Sequence, residues 1–246
     1  MSFELTPDQV ALYHRDGFIV LKSVFPKQEC DRFVQRMLDY QSGKLKISGL
    51  PERKPEDFNR THNQHVADPE ALKLLIDPRL HRPLAQVMND EPEAVQSMYF
   101  WKGSEQRRHQ DQFYLPGCMS AWCPFVDVSE DNGSIWVQVG SHKIKLITQA
   151  DLVDEKGEKL PLFGPHYDSA VDALFEKNAL PEVPVKANAG DVVLFHGVLI
   201  HRGGPIRKPG SWRHVLANHY LPRGFKAWPH EGWERISFDG SRRVGN

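Results

Sequence analysis

His109-Gln110-Asp111 sets an imidazole and a carboxylate two positions apart after a β-like run, so alternation along an extended chain turns both to one side. Two histidines and one carboxylate on one face of a metal leave three adjacent positions open. Fe(II) oxygenases use that arrangement to admit O2 and a chelating co-substrate. The third ligand must then come from a distant strand. His201 ends the run Gly190-Asp-Val-Val-Leu-Phe-His-Gly-Val-Leu-Ile-His201, a buried strand entering a Gly-rich turn. His196 in the same run is the rival ligand, and whichever of the two is not a ligand is a satisfied core histidine or supports the site from behind. A second H-x-D step, His166-Tyr167-Asp168, lies in an irregular segment beside Gly164-Pro165. It is set aside, because several predicted strands separate His109 from His201, as a closed double sheet requires.

Arg213 opens Arg-His-Val-Leu-Ala-Asn-His-Tyr, a strand expected to pair back beside His201. A guanidinium aimed into a barrel is costly unless an anion meets it. A dicarboxylate bound to the metal would be such an anion, gripped by the two-pronged guanidinium. That coupling favours His201 over His196, with Arg207 in the preceding turn as the alternative anchor.

The elements that must position these groups fall into two textures. Over 1–90 the pattern is helical. Thr6, Pro7 and Gln9 spell a capping box, Leu5 and Val10 a hydrophobic staple, and Gly17 a helix end before the buried strand 17–21. After Pro26, Cys30, Phe33, Val34, Met37 and Leu38 line one helical face. Residues 41–66 read as a long loop, and a helix over 69–88 is expected to split at Pro78 and Pro83. From 94 to 222 the pattern is short strands: Val95–Trp101, Met119–Val128, Ser134–Val139, Val183–Val185, Asp191–Phe195 and His214–Leu221. Asp131-Asn132-Gly133 predicts a hairpin between the second and third of these. The segment 143–182 is polar and irregular, and is expected to be a mobile lid over the pocket, with little apolar surface to bury. Helices first and strands afterwards predict a mainly β, α+β fold: a double-stranded β-helix (cupin-like jelly roll) buttressed by N-terminal helices, as a single domain over 1–246.

With 246 residues and a formal net charge of -1, the chain carries no field to gather nucleic acid or anionic lipid. No run of apolar residues is long enough for a membrane span. The N-terminal stretch is polar and lacks a signal core, and the last residues carry no lipidation or peroxisomal signal. Three cysteines without CxxC spacing argue against a disulfide framework and a zinc ribbon. A small-molecule enzyme in a reducing, cytoplasmic setting is the expectation.

The ordered set of motifs resembles the phytanoyl-CoA dioxygenase family of Fe(II)/2-oxoglutarate oxygenases. It comprises Leu5-Thr-Pro-Asp-Gln with Asp16-Gly-Phe-Ile-Val-Leu, His109-Gln-Asp-Gln-Phe-Tyr-Leu-Pro, Ala121-Trp122, Asp131-Asn-Gly-Ser, Gly140-Ser-His-Lys, and His201-Arg-Gly-Gly-Pro with Arg213. The resemblance implies that His109, Asp111 and His201 bind iron, that Arg213 binds the distal carboxylate of 2-oxoglutarate, and that Gln96 and Trp122 line the co-substrate and substrate pocket. It implies oxidation of a small molecule by O2, with release of succinate and CO2. Retention of Asp111, where halogenating relatives carry a small residue, implies hydroxylation or a related oxidation. Two features depart from the family pattern: Gly203 replaces a usual hydroxyl residue, and Arg213 lies one position later than usual. The competing classes are a redox-inactive metalloenzyme and a non-catalytic binding protein on the same barrel.

Overall fold

The computed structural model describes residues 3–52, 60–161 and 163–245. Part of the expected 41–66 loop (53–59) and Leu162 of the expected lid lie outside them. Thr6 caps helix α1 (Pro7–Asp16) through the box with Gln9, and Gly17 ends it at φ 85°, a left-handed conformation that costs glycine nothing. This exit sends the chain directly into strand β1 (Phe18–Leu21). Helix α2 (Lys27–Gln41) buries Cys30, Phe33, Met37 and Tyr40 on one face. The helix expected over 69–88 is two, α3 (Pro69–Leu75) and α4 (Pro78–Met88), broken at Pro78 with Asp77 as the new cap. Pro83 does not split α4; the helix carries it in its interior, forgoing one backbone hydrogen bond.

The remaining strands are β2 (Pro92–Phe100), β3 (Met119–Pro124), β4 (Ile135–Gln138), β5 (Glu182–Pro184), β6 (Val192–His196), β7 (His201–Gly203), β8 (Val215–Pro222), β9 (Glu234–Ser237) and β10 (Arg242–Val244). They form a seven-stranded sheet ordered β1-β6-β3-β8-β2-β9-β10 and a three-stranded sheet ordered β5-β4-β7. All pairings are antiparallel. The two sheets face one another as a jelly roll. Two faces of the large sheet have separate jobs. Outward, Tyr99, Ala121, Cys123, Leu194, Leu216 and Tyr220 pack under the four helices. Inward, Phe100, Trp122, Val193, Phe195, Val215 and Ala217 meet Ile135 and Val137 of the small sheet and Val185 just after β5.

Three expectations are corrected. Asp131-Asn132-Gly133 is no hairpin: β3 pairs with β6 and β8, whereas β4 pairs with β5 and β7, so the loop crosses between sheets. Only Gly133 there takes positive φ, at 78°, and a tight I′ hairpin needs two such residues. The Asn132 side chain instead pins its own loop, accepting from Ser129 N at 2.8 Å and donating to Asp127 O at 2.9 Å. The segment 143–182 is not irregular throughout. It contains helix α5 (Pro165–Asn178) and buries Ile147, Leu152, Tyr167, Val171 and Leu174 around Ile200. The strands also continue past 222, where β9 extends the large sheet beyond β2.

Candidate metal centre

His109 and His201 are brought side by side by the backbone itself. Each donates its N–H to the other's carbonyl, at 2.9 and 3.0 Å, forming an isolated antiparallel bridge. Asp111 follows at the start of a short 3-10 turn (Asp111–Phe113), which folds its carboxylate back toward the two rings. One ligand atom from each of the three residues lies within 4.8 Å of the others. Asp111 Oδ1 is 3.6 Å from His109 Nε2 and 3.5 Å from His201 Nε2. Ligands at right angles on an ion ~2.1 Å away sit roughly 3 Å apart, so a small closure seats a metal.

The tautomers are set from behind. His109 Nδ1 lies 2.8 Å from the carbonyl of Arg107, and His201 Nδ1 lies 2.9 Å from that of Leu199. A carbonyl only accepts, so each Nδ1 carries the proton and each Nε2 presents a lone pair. Burial and the neighbouring His201 push His109 down to about 4, which keeps it neutral. Burial alone would raise Asp111, but His201, His219 and His109 together hold its carboxyl far below the usual range. Two imidazole nitrogens and one carboxylate oxygen converging on one point suit a divalent first-row metal.

The rivals are placed elsewhere. His166 is exposed on the first turn of α5, and Asp168 is 3.4 Å from Arg107 in an ion pair. His196 follows inward-facing Phe195 and so turns away from the barrel; its Nδ1 accepts from Val198 N at 3.1 Å. Arg207 is exposed and 3.3 Å from Glu130. Arg213 is the buried one. It lies 4.7 Å over the Phe100 ring and 5.8 Å over that of Trp122, donates to Gly133 O at 2.9 Å, and leaves Nε without a partner. Among the described residues no carboxylate pairs with it, and burial pushes the guanidinium down to about 9. An unmatched buried cation on the inner face fits an anionic ligand. Trp122 thus walls the Arg213 end of the barrel, not the cavity beside the three ligands.

That cavity, about 380 Å³, is lined by His109, Asp111, Gln96 and His219, together with the cations Arg60, Arg107 and Arg108 and the aromatic rings of Phe113, Tyr114, Phe163 and Tyr167. Gln96 reaches it through a bulge: the register shifts between Ala94 and Gln96, so Ala94 pairs with Tyr220 and Gln96 with His219. Without the extra residue Val95, Gln96 would point outward with Ala94. Gly203 owes its identity to a close approach. A Cβ there would lie 2.7 Å from Gln106 N and 2.9 Å from Glu105 N, so no hydroxyl residue fits.

Two contributors escaped the sequence reading. Gln110, between the two ligands, ties the covering segment to the site. Its amide donates to Lys145 O at 2.7 Å and Val198 O at 2.8 Å, and its oxygen accepts from Ile147 N at 2.9 Å. Its backbone N–H donates to the Tyr167 hydroxyl at 3.0 Å. His219, buried on β8, places Nε2 3.4 Å from Asp111 Oδ2. Counting by twos along that strand from inward-facing Val215 and Ala217 would have found it.

Fold and site together define a non-haem iron, 2-oxoglutarate-dependent oxygenase. The profile of the phytanoyl-CoA dioxygenase (PhyH) family matches residues 13–215, and the chain belongs to that family. It is 28% identical to phytanoyl-CoA dioxygenase 1 of Oryza sativa subsp. japonica over 75% of this chain and 64% of that protein, so it spans just under two thirds of that relative. It is 24% identical to phytanoyl-CoA dioxygenase domain-containing protein 1 of Danio rerio, over 93% of this chain and 94% of that one. The fold matches EctD from S. alaskensis, solved with 2-oxoglutarate and 5-hydroxyectoine (TM-score 0.68, 19% identity, 89% of this chain and 76% of that one). It also matches HygX from Streptomyces hygroscopicus, solved with nickel and 2-oxoglutarate (TM-score 0.63, 19% identity, 92% and 90%).

Proposed function

We propose that His109, Asp111 and His201 hold Fe(II), that Arg213 holds the distal carboxylate of 2-oxoglutarate, and that the protein hydroxylates a small molecule bound in the cavity beside them. The observation that carries this reading is the convergence of the three ligand atoms within 4.8 Å. Bound iron and 2-oxoglutarate supply the O2 chemistry, with succinate and CO2 as by-products. The chain's own residues do the rest. Two carbonyl-anchored imidazoles and one carboxylate would hold the iron and, being only three, would leave room on it for the co-substrate and O2. The buried guanidinium orients the co-substrate by two-pronged pairing and rejects molecules lacking a second carboxylate. Gln96 offers an amide at the cavity floor. Phe113 and Tyr167, stacked with ring centroids 3.9 Å apart, form a wall against water, and Phe163 at the rim is 61% exposed, ready to cover a substrate.

The reading treats 1–246 as one catalytic unit with 143–182 as its cover. That cover is anchored on Gln110 through Lys145, Ile147 and Tyr167. The three free, buried cysteines support a reducing, cytoplasmic setting, and among the described residues no helix is long and apolar enough to cross a membrane. The near-zero net charge supports a small substrate over nucleic acid. Anaerobic addition of Fe(II) and then 2-oxoglutarate to metal-free protein tests the assignment. Visible metal-to-ligand charge-transfer absorption is expected, with succinate released on aeration and stimulated by substrate. Turnover without O2 or 2-oxoglutarate would instead identify a redox-inactive metalloenzyme.

A further inference from the structure

The inner face of the large sheet is layered. Across β2, β8 and β3, Met98 and Trp122 flank Ala217, and Phe100 pairs with Val215, so these rows are apolar. The row next to the metal ligands is different: Gln96 and Ser120 both register with His219. Ser120 Oγ donates to Asp111 Oδ2 at 2.8 Å, and His219 Nε2 lies 3.4 Å from the same oxygen. Oδ1 of that carboxylate is the one that faces His109 and His201. His219 is buried, and its Nδ1 has no partner. An imidazole with an unmet nitrogen is an expensive way to fill a barrel; a leucine would pack there without that cost. What the imidazole offers is an N–H toward Asp111 Oδ2.

We infer that His219, with Ser120, is a positioning residue that occupies the outer oxygen of Asp111 and so keeps this ligand monodentate, leaving the remaining metal positions open. This rests on the ligand assignment proposed above. With both donors engaged, Oδ2 is held away from the metal. If His219 is removed, the carboxylate rotates to chelate through both oxygens, filling a position the co-substrate needs. Partners of metal ligands typically contribute 10–100-fold to affinity or activity.

The test uses Co(II) bound to the metal-free protein, with affinity measured by chelator competition and coordination number read from visible absorption. A glutamine amide nitrogen can reach the position of His Nε2, whereas the shorter asparagine stops near Nδ1. His219→Gln is therefore expected to keep the wild-type Co(II) spectrum and 2-oxoglutarate affinity within a few-fold. His219→Asn and His219→Leu are expected to change the spectrum and weaken 2-oxoglutarate binding by about 10–100-fold. Ser120→Ala, a smaller change on the same oxygen, is expected to shift both readouts in the same direction and covers the case in which His219→Leu does not fold. Identical spectra and co-substrate affinities in wild type, His219→Asn and Ser120→Ala would overturn the inference. Failure of the wild type to bind Co(II) at all would overturn the ligand assignment beneath it, a separate and distinguishable outcome.

Discussion

Among the described residues two arginines lie almost fully buried, and they are treated in opposite ways. Arg235 on β9 is pinned by protein alone: Nε sits 2.7 Å from Glu93 Oε2 in an ion-pair contact, and its amines donate to Phe225 O at 2.7 Å and Pro222 O at 2.6 Å. Arg243 meets the same Glu93 at 2.8 Å and Arg223 at 3.3 Å, so one buried carboxylate gathers three guanidinium groups and binds the C-terminal hairpin to β2. Arg213 has two aromatic faces, one carbonyl and, among the described residues, no carboxylate partner. A buried charge that the chain satisfies is structure. A buried charge that it leaves unsatisfied needs a ligand to complete it. The comparison thus separates a stabilising cluster from a binding site without reference to conservation.

The largest effect belongs to the metal site, without which the anion that Arg213 awaits has nothing to chelate. Asp111→Ala is expected to reduce turnover by more than about 100-fold, since even supporting residues are worth 10–100-fold, while its unfolding transition stays close to wild type. Asp168→Ala, which removes the carboxylate of the other H-x-D step, is expected to leave turnover within about twofold, as suits a partly exposed pair with Arg107. Steady-state succinate release reads both. Reversed results would relocate the metal.

The arginines themselves come next, and they should move different quantities. Losing one partner of a buried charge pair costs on the order of 2–5 kcal/mol. At 1.4 kcal/mol per decade, Arg213→Ala is expected to raise the 2-oxoglutarate constant by roughly 30- to several-thousand-fold. Arg213→Lys should recover only part, because an ammonium lacks the planar fork. Neither change should lower the stability of the ligand-free protein much, since the unmatched charge is itself destabilising. Arg235→Met should do the reverse, costing about 1–3 kcal/mol of stability by removing one of Glu93's three guanidinium partners and leaving the Phe225 and Pro222 carbonyls unmet, with the 2-oxoglutarate constant unmoved. Denaturant titrations beside co-substrate titrations decide; equal stability losses in both variants would erase the distinction.

The Glu93 cluster also predicts a pH dependence. Burial raises the Glu93 carboxyl, but hydrogen bonding to Arg243 and the charges of Arg235, Arg243 and Arg223 outweigh it and hold it below the ordinary glutamate value. In acid the unfolded chain takes up this proton before the folded one does. The cluster's contribution is therefore complete above the unfolded value of about 4.3 and is lost as pH falls through the lower folded value. Thermal unfolding below about pH 4 should fall more steeply in wild type than in Glu93→Gln. Parallel profiles would mean that the cluster contributes nothing to acid stability.

How far the sequence anticipated this depends on whether the determining contact is local. The H-x-D step and Arg213 were legible from their chemistry and not from alternation. Asp111 is placed by a 3-10 turn, Arg213 precedes β8 with His214 at φ 38°, and β8 pairs with β2 and β3 and not beside His201 as expected. His219 obeys strand alternation but has no neighbouring motif to draw attention to it. Gln96 faces inward only because Val95 forms a bulge, which composition does not announce. Asn132-Gly133 misled because turn chemistry says how a chain bends, not which sheet it next joins. Helix α5 was hidden by its acidic surroundings, and its apolar face became clear only where it packs on Ile200. The β9–β10 hairpin had a signal in Asp239-Gly240, with Gly240 at φ 84°, but its short strands are too polar to register as a pattern.

A third arginine supplies the smallest expected effect and the control for the other two. Arg207 stands in the turn before Arg213, close enough in sequence to have been an alternative anchor. Its side chain is exposed, its charge is met by Glu130 at 3.3 Å, and its backbone N–H bonds to Asp131 O at 2.9 Å. An exposed ion pair is worth about 0–1 kcal/mol and weakens with salt. Arg207→Ala is therefore expected to leave the 2-oxoglutarate constant within about twofold and to lower stability by less than about 1 kcal/mol, a loss that shrinks further in high salt. The backbone bond to Asp131 survives the substitution, so the turn keeps its shape and Arg213 its position. Co-substrate titration of Arg207→Ala alongside Arg213→Ala makes the measurement. If the large loss of affinity appeared in Arg207→Ala instead, the turn would have to rearrange on binding to carry an exposed guanidinium inward, and the buried Arg213 would be left without a ligand to complete it.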